Sequence, residues 1–68
     1  MTTDDLTRVI EKFTSANGRG PKSLQELHEA LVAELNTAVS EAELLDELEK
    51  AEKGLFLGKD SDGNFVVL

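Results

Sequence analysis

A chain of 68 residues makes one domain, and at this size only about 60% of the unfolded surface is buried on folding. Fourteen acids stand against seven bases for a net charge of −7, which opposes a phosphate backbone, and the absence of cysteine excludes disulfides and thiolate metal sites. The single histidine cannot anchor a typical zinc site, and no apolar run approaches the ~20 residues of a membrane span.

The N-terminal Met1-Thr2-Thr3-Asp4-Asp5 lacks the basic and apolar regions of a signal peptide, so an intracellular location is expected. The acidic balance suits a soluble monomer. Leu, Ile, Val and Phe recur at regular spacing, which argues for a folded core despite the high charge.

Leu6, Val9, Ile10 and Phe13 follow the i, i+3, i+4, i+7 pattern of one helix face. Thr2 with Asp5 resembles a capping box, Asp4 and Asp5 favour a helix N-terminus, and Asn17-Gly18 is a stop signal. A first helix over about residues 3–16 follows. Asn17-Gly18-Arg19-Gly20-Pro21 is then a turn cluster. Its Gly-x-Gly follows a helix and lacks a Gly-Lys-Ser/Thr, so it is not a phosphate loop.

Ser23 with Glu26 forms a second capping pattern, and Leu24, Leu27, Leu31 and Leu35 give the apolar stripe of a helix over about 24–35. Glu34 should face water. His28 lies beside Leu24 and Leu31, and no Ser, Cys or second His is placed to work with it. Ser40 with Glu43 gives a third capping pattern, and Val39 with Leu44 a hydrophobic staple. Leu44, Leu45, Leu48 and Ala51 form the buried stripe of a helix over about 41–53 that Gly54 ends. Leu55-Phe56-Leu57, the turn signal Asp62-Gly63 and the β-forming run Phe65-Val66-Val67-Leu68 predict a hairpin over about 55–68.

Three helices followed by a hairpin is an α+β, mostly helical order: that of a winged helix-turn-helix, with the third helix in the recognition position and the hairpin as the wing. A three-helix bundle with an appended hairpin is the alternative. The two differ in whether a short third strand pairs near Lys22.

The winged-helix plan suggests DNA, but the charges oppose it. The third helix carries Glu41, Glu43, Asp46, Glu47, Glu49 and Glu52 against Lys50 and Lys53, and the wing carries Lys59 among Asp60 and Asp62. Major-groove readout relies on Arg, Lys, Asn and Gln. Arg8, Lys12, Arg19 and Lys22 form one modest basic region that would give weak DNA contact at most. Its bland reading is pairing with nearby acids, for example Arg8 with Asp4 or Asp5.

Asp60-Ser61-Asp62-Gly63-Asn64-Phe65 is similar to part of an EF-hand loop. With Gly63 at the sixth position, the first falls on Gly58, which has no ligand, and the bidentate twelfth is missing. The carboxylates lie on helix surfaces and turns, where no pocket raises a pKa for acid catalysis. No enzymatic activity and no cofactor are expected.

The run Ser23-x-x-Glu26-Leu27…Leu31, Ser40-x-x-Glu43-Leu44…Leu48, Gly54-Leu55-Phe56 and Asp62-Gly63-Asn64-Phe65-Val66-Val67-Leu68 resembles the C-terminal winged-helix domain of MCM replicative helicase subunits. It is similar also to the C-terminal winged helix of the middle subunit of replication protein A. The resemblance implies a module used chiefly for protein contacts or regulation in DNA replication.

The resulting expectation is a single, non-catalytic protein-binding domain over 1–68, with a basic partner segment meeting Glu43, Glu47, Lys50, Asp60 and Asp62. One alternative is a DNA-binding regulator that uses Arg8, Lys12, Arg19 and Lys22. Another is a small acidic inhibitor that occupies the nucleic-acid groove of an enzyme. Phe56 and Val66 are the apolar side chains most open to pairing with another copy.

Overall fold

Capping chemistry sets the start of each helix in the computed structural model, which describes residues 1–68. Thr2 Oγ1 accepts from the Asp5 amide at 3.2 Å, and the Asp5 carboxylate accepts from the Thr2 amide at 2.9 Å. This reciprocal box opens α1, Thr3–Asn17. The helix runs one residue beyond the sequence expectation, because Asn17 keeps helical geometry and the left-handed turn falls on Gly18 at φ 72°.

Helices α2, Leu24–Leu35, and α3, Glu41–Lys53, are capped differently from α1. Ser23 Oγ accepts from the Glu26 amide and Ser40 Oγ from the Glu43 amide, both at 3.1 Å. Neither glutamate returns the bond. Glu26 is drawn to Arg19 and to the Lys22 amide, and Glu43 Oε1 lies 3.7 Å from the Met1 amine. The expected capping boxes are therefore single caps.

The three helices bury one stripe each: Leu6, Val9 and Ile10 from α1, Leu27 and Leu31 from α2, Leu44, Leu48 and Ala51 from α3. Val39 joins this core, so the predicted staple partners Val39 and Leu44 are both buried. Leu45 departs from the expectation and is 48% exposed. At about 100° per residue, Leu44, Leu48 and Ala51 already define the inward line, and Leu45 is turned a full step away from it. His28, partly buried, bonds through Nε2 to the Val39 carbonyl and ties α2 to the turn before α3.

The end of α3 also differs. Gly54 stays right-handed at φ −79°, and the left-handed residue is Leu55 at φ 62°. The Phe56 amide reaches the Ala51 carbonyl at 2.9 Å, and the Leu55 amide reaches Glu52 at 3.1 Å. These are the two bonds of a Schellman turn, with leucine where glycine is usual. Because the turn consumes Leu55 and Phe56, the first strand starts two residues later than expected. Strand β1 is Leu57–Lys59 and β2 is Phe65–Val67, paired antiparallel with Leu57 opposite Val67 and Lys59 opposite Phe65.

The hairpin loop is built by Asp60. Its amide donates to the Asn64 carbonyl at 3.0 Å, and its carbonyl accepts from Gly63, whose φ is 84°. Ser61, Asp62 and Gly63 thus form a three-residue loop with a left-handed final residue.

Leu57 and Phe65 turn inward and complete the core. Strand β1 leans on α3 and β2 on α1. No third strand forms at Lys22 and the sheet stays two-stranded, so the feature that would separate a winged helix from a three-helix bundle with an appended hairpin is absent. One residue earlier, the Pro21 carbonyl accepts from the Phe65 amide at 2.8 Å. Gly20 makes that approach feasible, since a Cβ there would lie 1.8 Å from the Phe65 carbonyl oxygen. The radius of gyration, 10.7 Å, equals that of a close-packed chain of this length, about 11 Å.

Candidate functional site

The stripe that buries Leu44, Leu48 and Ala51 leaves the acids of α3 outside. Lys50 Nζ lies 3.3 Å from Asp46 and 3.7 Å from Glu47, so the expected site residues Glu47 and Lys50 are brought together with Asp46. The Asp46 carboxylate, then Glu47, raises the Lys50 pKa above its ordinary value. Lys53 pairs with Glu49 at 3.0 Å. Glu41 and Glu52 are exposed and have no ion-pair partner. These exposed pairs are worth about 0–1 kcal/mol each, so a partner's cations can replace them at little cost.

The wing acids divide into two roles. Asp60 Oδ1 accepts from the Asp62 and Asn64 amides, both at 2.9 Å, and Oδ2 from Asn64 Nδ2 at 3.1 Å. The Asn64 amide is the leading cause that holds the Asp60 carboxyl below the ordinary carboxylate range. The Asp60 side chain is thus engaged within the loop, and Asp62 is left exposed at its tip. No ion pair or side-chain hydrogen bond joins the wing acids to Glu43, Glu47 or Lys50.

The basic region is largely neutralised by the chain itself. Arg8 pairs with Asp5 at 2.9 Å, which decides between the two expected partners. Lys12 reaches Glu34 on α2, so that exposed acid bonds across to α1. Arg19 binds Glu26 through both nitrogens, at 2.8 and 3.1 Å, and its guanidinium also lies 5.5 Å from the Phe13 ring. The Arg19 bond, then the Lys22 amide, pulls the Glu26 pKa from an ordinary 4.5 to about 2. Of the four bases, only Lys22 has a side chain outside an ion pair. Arg8 and Lys12 share one open depression with Glu11, Ser15 and Ala16.

Sequence reasoning singled out Phe56 and Val66 as open apolar side chains but passed over Leu55 and Leu68 beside them. Leu55 is 74% exposed, Phe56 54% and Leu68 68%. The Phe56 carbonyl accepts from the Leu68 amide at 3.0 Å, which makes the two cross-strand neighbours. The Leu68 side chain lies over Gly58, and the Phe56 ring lies over Gly54. The period-two alternation of the hairpin was the available signal: Phe56, Gly58, Val66 and Leu68 share the face opposite Leu57 and Phe65.

No group of three or more His, Cys, Asp or Glu side chains is arranged to hold a metal ion, and no helix is long and apolar enough to cross a membrane. Comparison of the chain with protein-family models, with curated proteins and with solved structures gave no match.

Proposed function

We propose that this chain is a non-catalytic winged-helix module that binds a protein partner through the acidic outer face of α3. The observation that carries the reading is the asymmetry of charge. Arg8, Lys12 and Arg19 are occupied by the chain's own acids, whereas α3 presents six acids against two lysines. Such a face steers a basic segment towards it and repels a phosphate backbone. The helix and hairpin pattern, similar to that of replicative-helicase winged helices, supports a regulatory place in DNA replication.

Backbone NMR titration of the whole chain tests the reading. A lysine-rich peptide should shift the amides of Glu43, Asp46, Glu47 and Lys50, and the shifts should fade with salt. Duplex DNA at low salt should shift none of them. Shifts at Arg8, Lys12, Arg19 and Lys22 on adding DNA, with none from the peptide, would replace this reading with a DNA-binding one.

A further inference from the structure

We infer that the apolar corner beyond α3, made by Leu55, Phe56 and Leu68, is the anchor seat for an amphipathic segment whose apolar side chains are flanked by lysine or arginine. The inference rests on the acidic-face reading and adds to it the chemistry of the partner.

Leu55 is the first observation. It holds φ 62° while 74% exposed. The left-handed conformation costs an ordinary L-residue about 1–2 kcal/mol, and the small burial of this side chain gives little in return. Glycine would close the same Schellman turn without that cost. Backbone strain held at an exposed apolar residue is the pattern of a ligand contact.

Phe56 and Leu68 are the second. They are hydrogen-bonded neighbours on the outward side of the hairpin, with Val66 beside them and glycine beneath each: Gly54 under the ring and Gly58 under Leu68. Neither glycine has a side chain to cover this surface. On the last turns of α3 before the seat, Leu45, Leu48, Glu49, Glu52 and Lys53 line one shallow groove, with Lys53 paired to Glu49. Two acids, Glu49 and Glu52, thus lie along α3 between the apolar Leu45 and the seat, against the single lysine Lys53.

Charge selects the occupant. A second copy of this chain would bring its own −7 charge and the same acidic groove, acid against acid. A segment with leucine-like anchors between basic residues matches both components of the surface.

Fluorescence anisotropy with three labelled synthetic peptides tests the inference on the whole chain: one of leucine and lysine in amphipathic order, one with serine replacing leucine, and one with glutamate replacing lysine. The leucine–lysine peptide should bind at least about tenfold tighter than the serine–lysine peptide, and the glutamate peptide should not bind. Phe56→Ala and Leu68→Ala should each weaken the leucine–lysine peptide about tenfold. Leu55→Gly should weaken it as well, while raising the melting temperature by about 4–8 °C. That pairing separates a binding role from a folding one.

Equal affinity for the leucine and serine peptides, with Glu47→Lys still lowering both, would overturn the anchor seat and leave the acidic face standing. Binding of none of the three would overturn both. A concentration-dependent dimer abolished by Phe56→Ser in sedimentation would overturn the partner segment in favour of self-association.

Discussion

The corner between α1 and α2 and the corner after α3 solve the same chain-reversal problem with opposite chemistry. In the first, Arg19 meets both oxygens of Glu26, gives a 3.0 Å bond to the Gly20 carbonyl and lies against Phe13, while Gly20 and Pro21 are buried. Apart from the exposed Lys22 amine, its charged side chains find partners within the chain. In the second, a strained leucine and a half-exposed phenylalanine face outward, and the neighbouring acids pair only with lysines of their own helix. The two glycines mark the difference. A Cβ at Gly20 would strike backbone, whereas one at Gly54 would meet the Phe56 ring at 2.7 Å, which is free to swing into solvent. One corner is closed by the fold itself, and the other offers its apolar surface outward.

Substitutions can break that contrast, beginning with the most severe. Gly20→Ala should separate the Pro21 carbonyl from the Phe65 amide and cost about 3 kcal/mol in urea unfolding. A domain of this size has only about 3–5 kcal/mol to lose, so most of its stability would go. Ser40→Ala removes the N-cap of α3 and should cost about 1 kcal/mol, lowering amide protection first in the turn from Glu41 to Leu44.

Glu26→Gln should destabilise the closed corner in a pH-dependent way. The folded Glu26 pKa is depressed to about 2, so its stabilisation is fully present above pH 4.5 and is lost as the pH falls from there towards 2. Thermal melts of wild type and variant should therefore differ at neutral pH and converge in that acid window. Gly54→Ala should have the smallest effect, within about 0.5 kcal/mol of wild type, because its right-handed φ suits alanine. A large loss on Gly54→Ala, equal to that of Gly20→Ala, would erase the distinction between the corners.

Much of the architecture was legible in the residues. The spacing of Leu6, Val9 and Ile10, of Leu27 and Leu31, and of Leu44, Leu48 and Ala51 marks three helix faces, and Ser23 and Ser40 mark the helix starts. The departures have separate causes. Glu26 reads locally as a capping-box residue, but Arg19, seven positions earlier, gives it a bidentate pair of charged hydrogen bonds that it takes in place of the Ser23 amide. Gly54 reads as the end of α3, but it stays right-handed and the left-handed turn falls on Leu55. Leu45 reads as core only when the helix face is drawn too wide.

For the site, the acidity of α3 was plain from the sequence, as was the pairing of Arg8. Of the seat only Phe56 was marked as open; Leu55 and Leu68 were not, because an apolar run before a turn signal looks the same whether its strand begins at 55 or at 57. A shift of two residues moves Leu55 and Phe56 from the strand into the turn. The alternation of β1 then sends Leu57 inward.

The Pro21–Phe65 bond also has a kinetic meaning. It is the hydrogen bond that fastens the hairpin to the loop between α1 and α2, and it closes most of the chain into one loop. Loop-closure entropy makes such a contact late to form, after the local turns of the helices and of the hairpin. The Phe65 amide is therefore a reporter of the last docking step. Its hydrogen exchange measures how often the hairpin lifts from the helices while both remain folded.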